Sequence, residues 1–252
     1  MKLFTYFTTF IVPCLSFSNK RYIPKANLAV FGVTGKTGQC VLKQASSMNK
    51  GVFSLVRPKN SIRSDSSHTL YYGDVTSIDD VNQVYNGNVI TGTIVCLGGS
   101  TSEVGNTMLT DGTKNIIECI LKSKLASKKI AIVTSIGAGD SINQPPLFFK
   151  ILMNTVLKDA FVDKNNQEAL FLDQNGIGKD LDFTIVRPSG LTDDNLKNIY
   201  VIEDGSGTIP RMSVAEFLLN AIYDKQFPYT GTAVCITGEE NNINGELFNS
   251  KL

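Results

Sequence analysis

From residue 26 onward, short unbroken apolar runs alternate with longer stretches whose apolar positions recur every three or four residues. The runs are Ala26–Phe31, Val52–Val56, Thr69–Tyr72, Thr93–Leu97, Lys129–Thr134, Asp182–Val186 and Ala233–Thr237. Their length suits strands buried on both faces. Helical spacing marks Lys36–Met48, Ile78–Tyr85, Val104–Lys124 and Ser213–Tyr223. Pro146–Asn175 is expected to be mostly helix, stopped by Gly176. Strands alternating with helices close by right-handed crossovers into a parallel sheet with both faces covered. The expected class is α/β. No internal repeat or low-complexity linker interrupts the series, so residues 26–252 are expected to form one domain with a small C-terminal extension.

Composition narrows the chemistry. The 252 residues hold 24 basic and 23 acidic side chains, a net charge of +1. That balance gives no basic stripe of the kind a nucleic-acid partner requires. The cysteines (Cys14, Cys40, Cys96, Cys119, Cys235) are odd in number and form no CxxC pair, which argues against a disulfide framework and a zinc site. The single histidine, His68, lies in a serine-rich stretch and is expected to be a solvated loop residue. No metal site is expected.

The first strand runs into Gly32-Val-Thr-Gly35-Lys-Thr-Gly38, a GxxGxxG spacing. In a strand–turn–helix context the first glycine allows a tight turn and the second lets the backbone approach a pyrophosphate. The third lets the helix pack close to the strand. The helix then offers unpaired N–H groups and its positive dipole end to the anion. Thr34, Lys36 and Thr37 add side-chain donors. The pattern predicts a Rossmann-type doubly wound sheet that binds a dinucleotide. Arg57 follows the second strand, where an acid would hold a free ribose 2′-hydroxyl. With Lys59 and Arg63 nearby, the charge there favours a 2′-phosphate, hence NADP(H) over NAD(H), with NAD(H) still admissible. Asp74 and Val75 end the third strand, and Asp74 is expected either to face the adenine or to close a turn near Ser77. Leu97, Gly98 and Gly99 end the fourth, where small residues let a cofactor lie against the backbone.

At this point the chain resembles the atypical short-chain dehydrogenase/reductases, in particular the NmrA-like NAD(P)-binding group that includes biliverdin-IXβ reductase/flavin reductase. The resemblance rests on AVFGVTGKTG (29–38), SLVRP (54–58), GDV (73–75), CLGG (96–99) and GTKNI (112–116). It continues through IVTSIGAG (132–139), DKNNQE (163–168), DFTIVRPSGLTDD (182–194) and RMSVAEFLLNAI (211–222). It implies a nicotinamide ring near the fifth and sixth strands, with Ser135 and Lys164 as catalytic residues that also contact the cofactor, and Pro188 and Ser189 flanking it. The proton-donating Tyr of the family's Tyr-x-x-x-Lys pair is replaced by Ala160, and no tyrosine occurs between Tyr85 and Tyr200.

The departure points to acceptors that take hydride and draw their proton from water: a flavin, a quinone or a linear tetrapyrrole. An NAD(P)H-dependent reductase of such a conjugated small molecule is one expectation. A non-catalytic NADP(H)-binding redox sensor or assembly factor is the other. A sugar-nucleotide epimerase is disfavoured, since that chemistry uses the missing Tyr and a larger C-terminal region. The alternative readings are a strand-end cap for Ser135, a solvated helix residue for Lys164 and a buried ion-pair partner for Arg187. The Gly-rich loop Glu203–Pro210 is placed to lie over the site.

The N-terminus has its own pattern. Residues 1–18 join one lysine to a short apolar run and then small residues, and the first acidic residue of the chain is Asp65. This layout predicts a targeting segment over residues 1–25, too short for a comfortable membrane span. With Phe17 and the basic stretch after it, the segment resembles a plastid presequence. A plain secretory signal is the alternative, and a cytoplasmic location follows if the segment is not functional.

Overall fold

The computed structural model describes residues 27–58, 67–98, 107–203, 207–239 and 245–252. The targeting segment, Lys59, Arg63 and Gly99 lie outside these described residues.

The first strand, β1 (Asn27–Phe31), shows why the sheet has two faces. Successive strand side chains point to opposite sides. Leu28 and Val30 enter one apolar cluster, and Ala29 and Phe31 enter the other. The helix α1 (Lys36–Ser47) packs on the first face through Val41 and Ala45, beside α6 (Arg211–Tyr223). On the second face lie α2 (Ile78–Tyr85), α3 (Met108–Lys122) and α5 (Lys158–Leu172), represented there by Val81, Ile116 and Phe171.

The remaining strands are β2 (Gly51–Val56), β3 (His68–Tyr72), β4 (Ile90–Val95), β5 (Lys129–Val133), β6 (Asp182–Pro188), β7 (Gly190–Thr192), β8 (Ile199–Ile202), β9 (Thr208–Pro210), β10 (Thr232–Thr237) and β11 (Glu246–Phe248). Nine of them form one sheet in the order β11-β8-β10-β6-β5-β4-β1-β2-β3. From β3 to β10 every pairing is parallel; β8 runs antiparallel between β10 and β11. The strand order reverses between β1 and β4, the place where open α/β sheets hold ligands. The α/β, doubly wound Rossmann expectation holds.

Several expectations need correction. The helical stretch expected over Pro146–Asn175 is two helices, α4 (Leu147–Asn154) and α5. The chain breaks at Thr155, whose φ −119° and ψ −90° are not helical and whose hydroxyl donates to the Ile151 carbonyl. That side-chain bond competes with the helix ladder. The fourth strand begins at Ile90, because Ile90 and Gly92 pair with β1, and it ends before Cys96. His68 is not a solvated loop residue. It opens β3, is 2% exposed, and lies 3.0 Å from the Ser54 hydroxyl. Within Glu203–Pro210, Thr208–Pro210 forms a strand against β7, and Gly207 lines a cavity described below.

Candidate cofactor and acceptor site

The turn after β1 is shaped by two of its three glycines. Gly32 sits at φ +87°, and a Cβ there would fall 2.3 Å from the Cys96 carbonyl oxygen. A Cβ on Gly38 would fall 2.2 Å from the Gly32 carbonyl oxygen and 2.7 Å from the Val33 Cα. The fold itself therefore demands both. Gly35 differs. Its backbone is extended (φ −78°, ψ 157°), and a Cβ would meet only the Gly32 oxygen, at 3.4 Å. Around Gly98 no described residue lies within 4 Å of an added Cβ. These two glycines line open space rather than packed protein.

That space is a cleft of about 650 Å³. It brings together the predicted Gly32, Thr34, Gly35, Lys36, Thr37, Arg57, Asp74, Val75, Leu97, Gly98 and Lys164 from the ends of four strands and from α5. Gly38 lies beneath it as packing. The first intrahelical bond of α1 joins the Gln39 amide to the Gly35 carbonyl at 2.9 Å. The amides of Lys36, Thr37 and Gly38 therefore precede the ladder and have no intrahelical acceptor. This is a ready anion site.

At the far side of the turn, Arg57 is exposed at the end of β2. Asp74 closes a local turn: its carboxylate accepts from the Thr76 amide at 2.9 Å and the Thr76 hydroxyl at 2.7 Å. Those bonds, with the nearby Arg57 charge, hold its carboxyl below the ordinary range. The helix cap is Ser77, whose hydroxyl accepts from the Asp80 amide. Asp74 is thus a turn residue that also borders the cleft.

Lys164 lies on α5, half-buried, with its ammonium 3.5 Å from the Thr134 carbonyl. Burial pulls its pKa down, against the upward pull of Glu168 and Asp163. It is not a solvated helix residue. Its helix is tied to its surroundings on both sides. Asp163 accepts the Leu109 and Thr110 amides at 2.8 and 2.9 Å, which docks the start of α3 on α5. Glu168 accepts the Thr134 hydroxyl at 2.6 Å and binds Arg187 through Nε at 3.1 Å and Nη2 at 2.6 Å. Arg187 also pairs with Asp140. Burial alone would lower the Arg187 pKa, but the Glu168 and Asp140 bonds and charges outweigh it and raise the value. Arg187 is the buried ion-pair partner that one sequence reading foresaw.

Ser135, Pro188 and Ser189 do not line the cleft. They line an adjoining cavity of about 440 Å³. The Ser135 hydroxyl donates to the Ile136 carbonyl at 3.1 Å, and the Ser189 hydroxyl donates to that of Thr237 at 3.2 Å. Thr134, Leu191 and Arg211 belong to both spaces. Sequence reasoning missed Arg211 and its partner Asp193, which binds Arg211 at 2.5 Å and also Lys36. The helix begins at Arg211, two residues before the Ser213 start expected from spacing, which puts a cation in the first turn, where the dipole disfavours it. Among the described residues no group of His, Cys, Asp or Glu is placed to hold a metal, and no helix is long and apolar enough to cross a membrane.

Residues 32–225 match the family model described as NAD(P)H-binding. The chain belongs to this NAD(P)H-binding family. The match spans the glycine turn, the cleft and Arg211. Solved structures share the fold. An oxidoreductase, ylbE, from Lactococcus lactis superposes with a TM-score of 0.68 at 15% identity, over 84% of this chain and 91% of that one. ChuY, an anaerobillin reductase from Escherichia coli, gives 0.64 at 18% identity, over 86% and 98%. A proposed NADH-flavin reductase from Streptococcus pneumoniae gives 0.61 at 15% identity, over 85% and 100%. These structures share the Rossmann-type α/β fold with this chain.

Proposed function

We propose that this protein is an NADPH-dependent reductase of a conjugated small molecule: a flavin, a quinone or a linear tetrapyrrole. The observation that carries the reading is the pair of joined spaces at the strand ends. The longer cleft carries the glycine turn and two glycines the fold does not require. The second cavity shares Thr134, Leu191 and Arg211 with it, on the side to which an extended dinucleotide anchored at the glycine turn would carry its nicotinamide. A bound nicotinamide supplies hydride at its ring carbon. This chain's residues do the rest. The α1 amides and Thr34 hold the pyrophosphate; Arg57 faces the 2′-phosphate, with no acid at the end of β2 to favour a free hydroxyl.

Lys164 and Thr134 stand at the junction of the two spaces, with Lys164 placed for a ribose hydroxyl. Ser135 sits in the second cavity beside Phe149 and Pro188, where its hydroxyl meets the acceptor rather than the cofactor. Ala160 leaves the site without a phenolic proton donor, so an acceptor that takes the hydride must draw its one proton from water. Conjugated acceptors meet that condition. The names of two structural neighbours, an anaerobillin reductase and a proposed NADH-flavin reductase, agree with this acceptor class.

The test is NADPH oxidation, followed at 340 nm, against FMN, a soluble quinone and biliverdin. Turnover with at least one is expected. Tight NADPH binding with no turnover across the panel refutes the reductase and favours a non-catalytic sensor.

A further inference from the structure

The second cavity holds one charged side chain. Its described lining is Thr134, Ser135, Ile136, Pro146, Phe149, Pro188, Ser189, Gly190, Leu191, Gly207 and Arg211. Of these only Arg211 carries a charge. A guanidinium has five N–H donors in a rigid fork. One nitrogen, Nη1, is bound to Asp193, and among the described residues no other partner of Arg211 is found. Its side chain is 21% exposed, whereas that of Asp193 is 58% exposed. Arg211 is thus the more buried partner of the pair, and it borders both the cofactor cleft and the second cavity. Asp193 also binds Lys36, so it keeps a cation if Arg211 turns inward. The trio Lys36–Asp193–Arg211 carries a net single positive charge, and Arg211 is its member that borders the second cavity.

We propose that Arg211 selects the acceptor: its guanidinium takes a carboxylate or phosphate that the acceptor carries beside its conjugated ring. This rests on the reductase reading for the identity of the cavity, but its test does not need turnover. The planar fork matches either anion in bidentate fashion, which a lysine cannot reproduce. The remaining lining offers uncharged, partly apolar surface to the ring. An anionic group and a flat ring on one molecule describe FMN as well as a tetrapyrrole with propionate arms, so both are probed.

The experiment uses the full chain loaded with NADP+. Binding is titrated for two charged-and-neutral pairs: FMN against riboflavin, and biliverdin against its dimethyl ester. Wild type should prefer the charged member of at least one pair by about tenfold to a hundredfold, the range of a hydrogen bond to a charged group. In Arg211→Gln that preference should fall to near unity, and Arg211→Lys should keep part of it. Asp193→Asn, which leaves the guanidinium in place, should keep the preference and controls for loss of the exposed ion pair. A wild type with no preference in either pair, or one binding none of the four, overturns the proposal. So does an Arg211→Gln protein that keeps the preference. If Arg211→Gln instead weakens NADP+ binding by the same factor as the charged acceptor, Arg211 is a cofactor ligand and the proposal fails. Reduction without preference sinks this proposal alone; preference without reduction sinks the reductase alone.

Discussion

Gly35 and Gly38 look equivalent in the GxxGxxG motif, yet the structure gives them different work, and alanine at each separates the two. In Gly35→Ala the new Cβ meets one atom, the Gly32 oxygen, at 3.4 Å, an ordinary contact. The backbone angles suit alanine. Gly35 is the N-cap of α1, and alanine is a poorer cap than glycine, at a cost on the order of 1 kcal/mol. For a chain of this size that lowers Tm by about 2–4 °C. The methyl group, however, occupies the mouth of the cleft and holds a phosphate off the α1 amides. Losing about two charge-assisted bonds, each worth roughly 1.5 kcal/mol or more, removes about 3 kcal/mol of binding. NADPH affinity should fall by roughly 150-fold. In Gly38→Ala the Cβ lies 2.2 Å from a backbone oxygen, so α1 or the turn must shift, and stability rather than affinity should fail first. Titration of NADPH with parallel thermal melts reads both quantities. If Gly35→Ala binds NADPH like wild type, the cleft is not the pyrophosphate site. If Gly38→Ala melts like wild type, the packing account of the turn is wrong.

Four further outcomes are expected. Arg57→Ala should lose most of any preference for NADPH over NADH, roughly tenfold or more; an unchanged ratio of the two affinities removes Arg57 from the 2′-phosphate. Glu168→Gln leaves the buried Arg187 with only the exposed Asp140 and should destabilise the fold by about 3–5 kcal/mol, seen as a lower denaturation midpoint. Burial pushes the Cys96 thiol from 9.0 up to about 12, so its contribution to stability is complete below pH 9 and drains away as pH rises towards 12. Cys96→Ala should therefore flatten the alkaline side of the stability curve, and an unaltered curve counts against that burial. A fluorescent protein fused behind residues 1–30 should leave the cytosol; diffuse cytosolic signal rules out the proposed targeting role of residues 1–25.

The sequence by itself determined the class of fold and the place of the cofactor cleft. Both follow from local, repetitive physics. Buried parallel strands must be continuous apolar runs, amphipathic helices must repeat every three or four residues, and a phosphate turn needs small residues at set positions. Those constraints are written in consecutive residues, from Asn27 to Gly38 above all. The same local reading went astray where a distant partner decides the outcome. His68 sits among serines, but the register of β3 against β2 sets it opposite Val52, inside the protein and within reach of the Ser54 hydroxyl. The three-residue strands β7 and β9 are too short to show periodicity and exist because they pair with each other. Ser135 and Lys164 are 29 positions apart in the chain, and only the packing of α5 against the end of β5 shows that they serve adjoining spaces, Lys164 the cleft and Ser135 the second cavity. Arg211 was invisible as a site residue for the same reason. Its meaning comes from Asp193 and Lys36, brought beside it from two other parts of the chain by the packing of α6 against α1. Contacts between residues remote in sequence leave no periodic trace, so tertiary structure alone decides them.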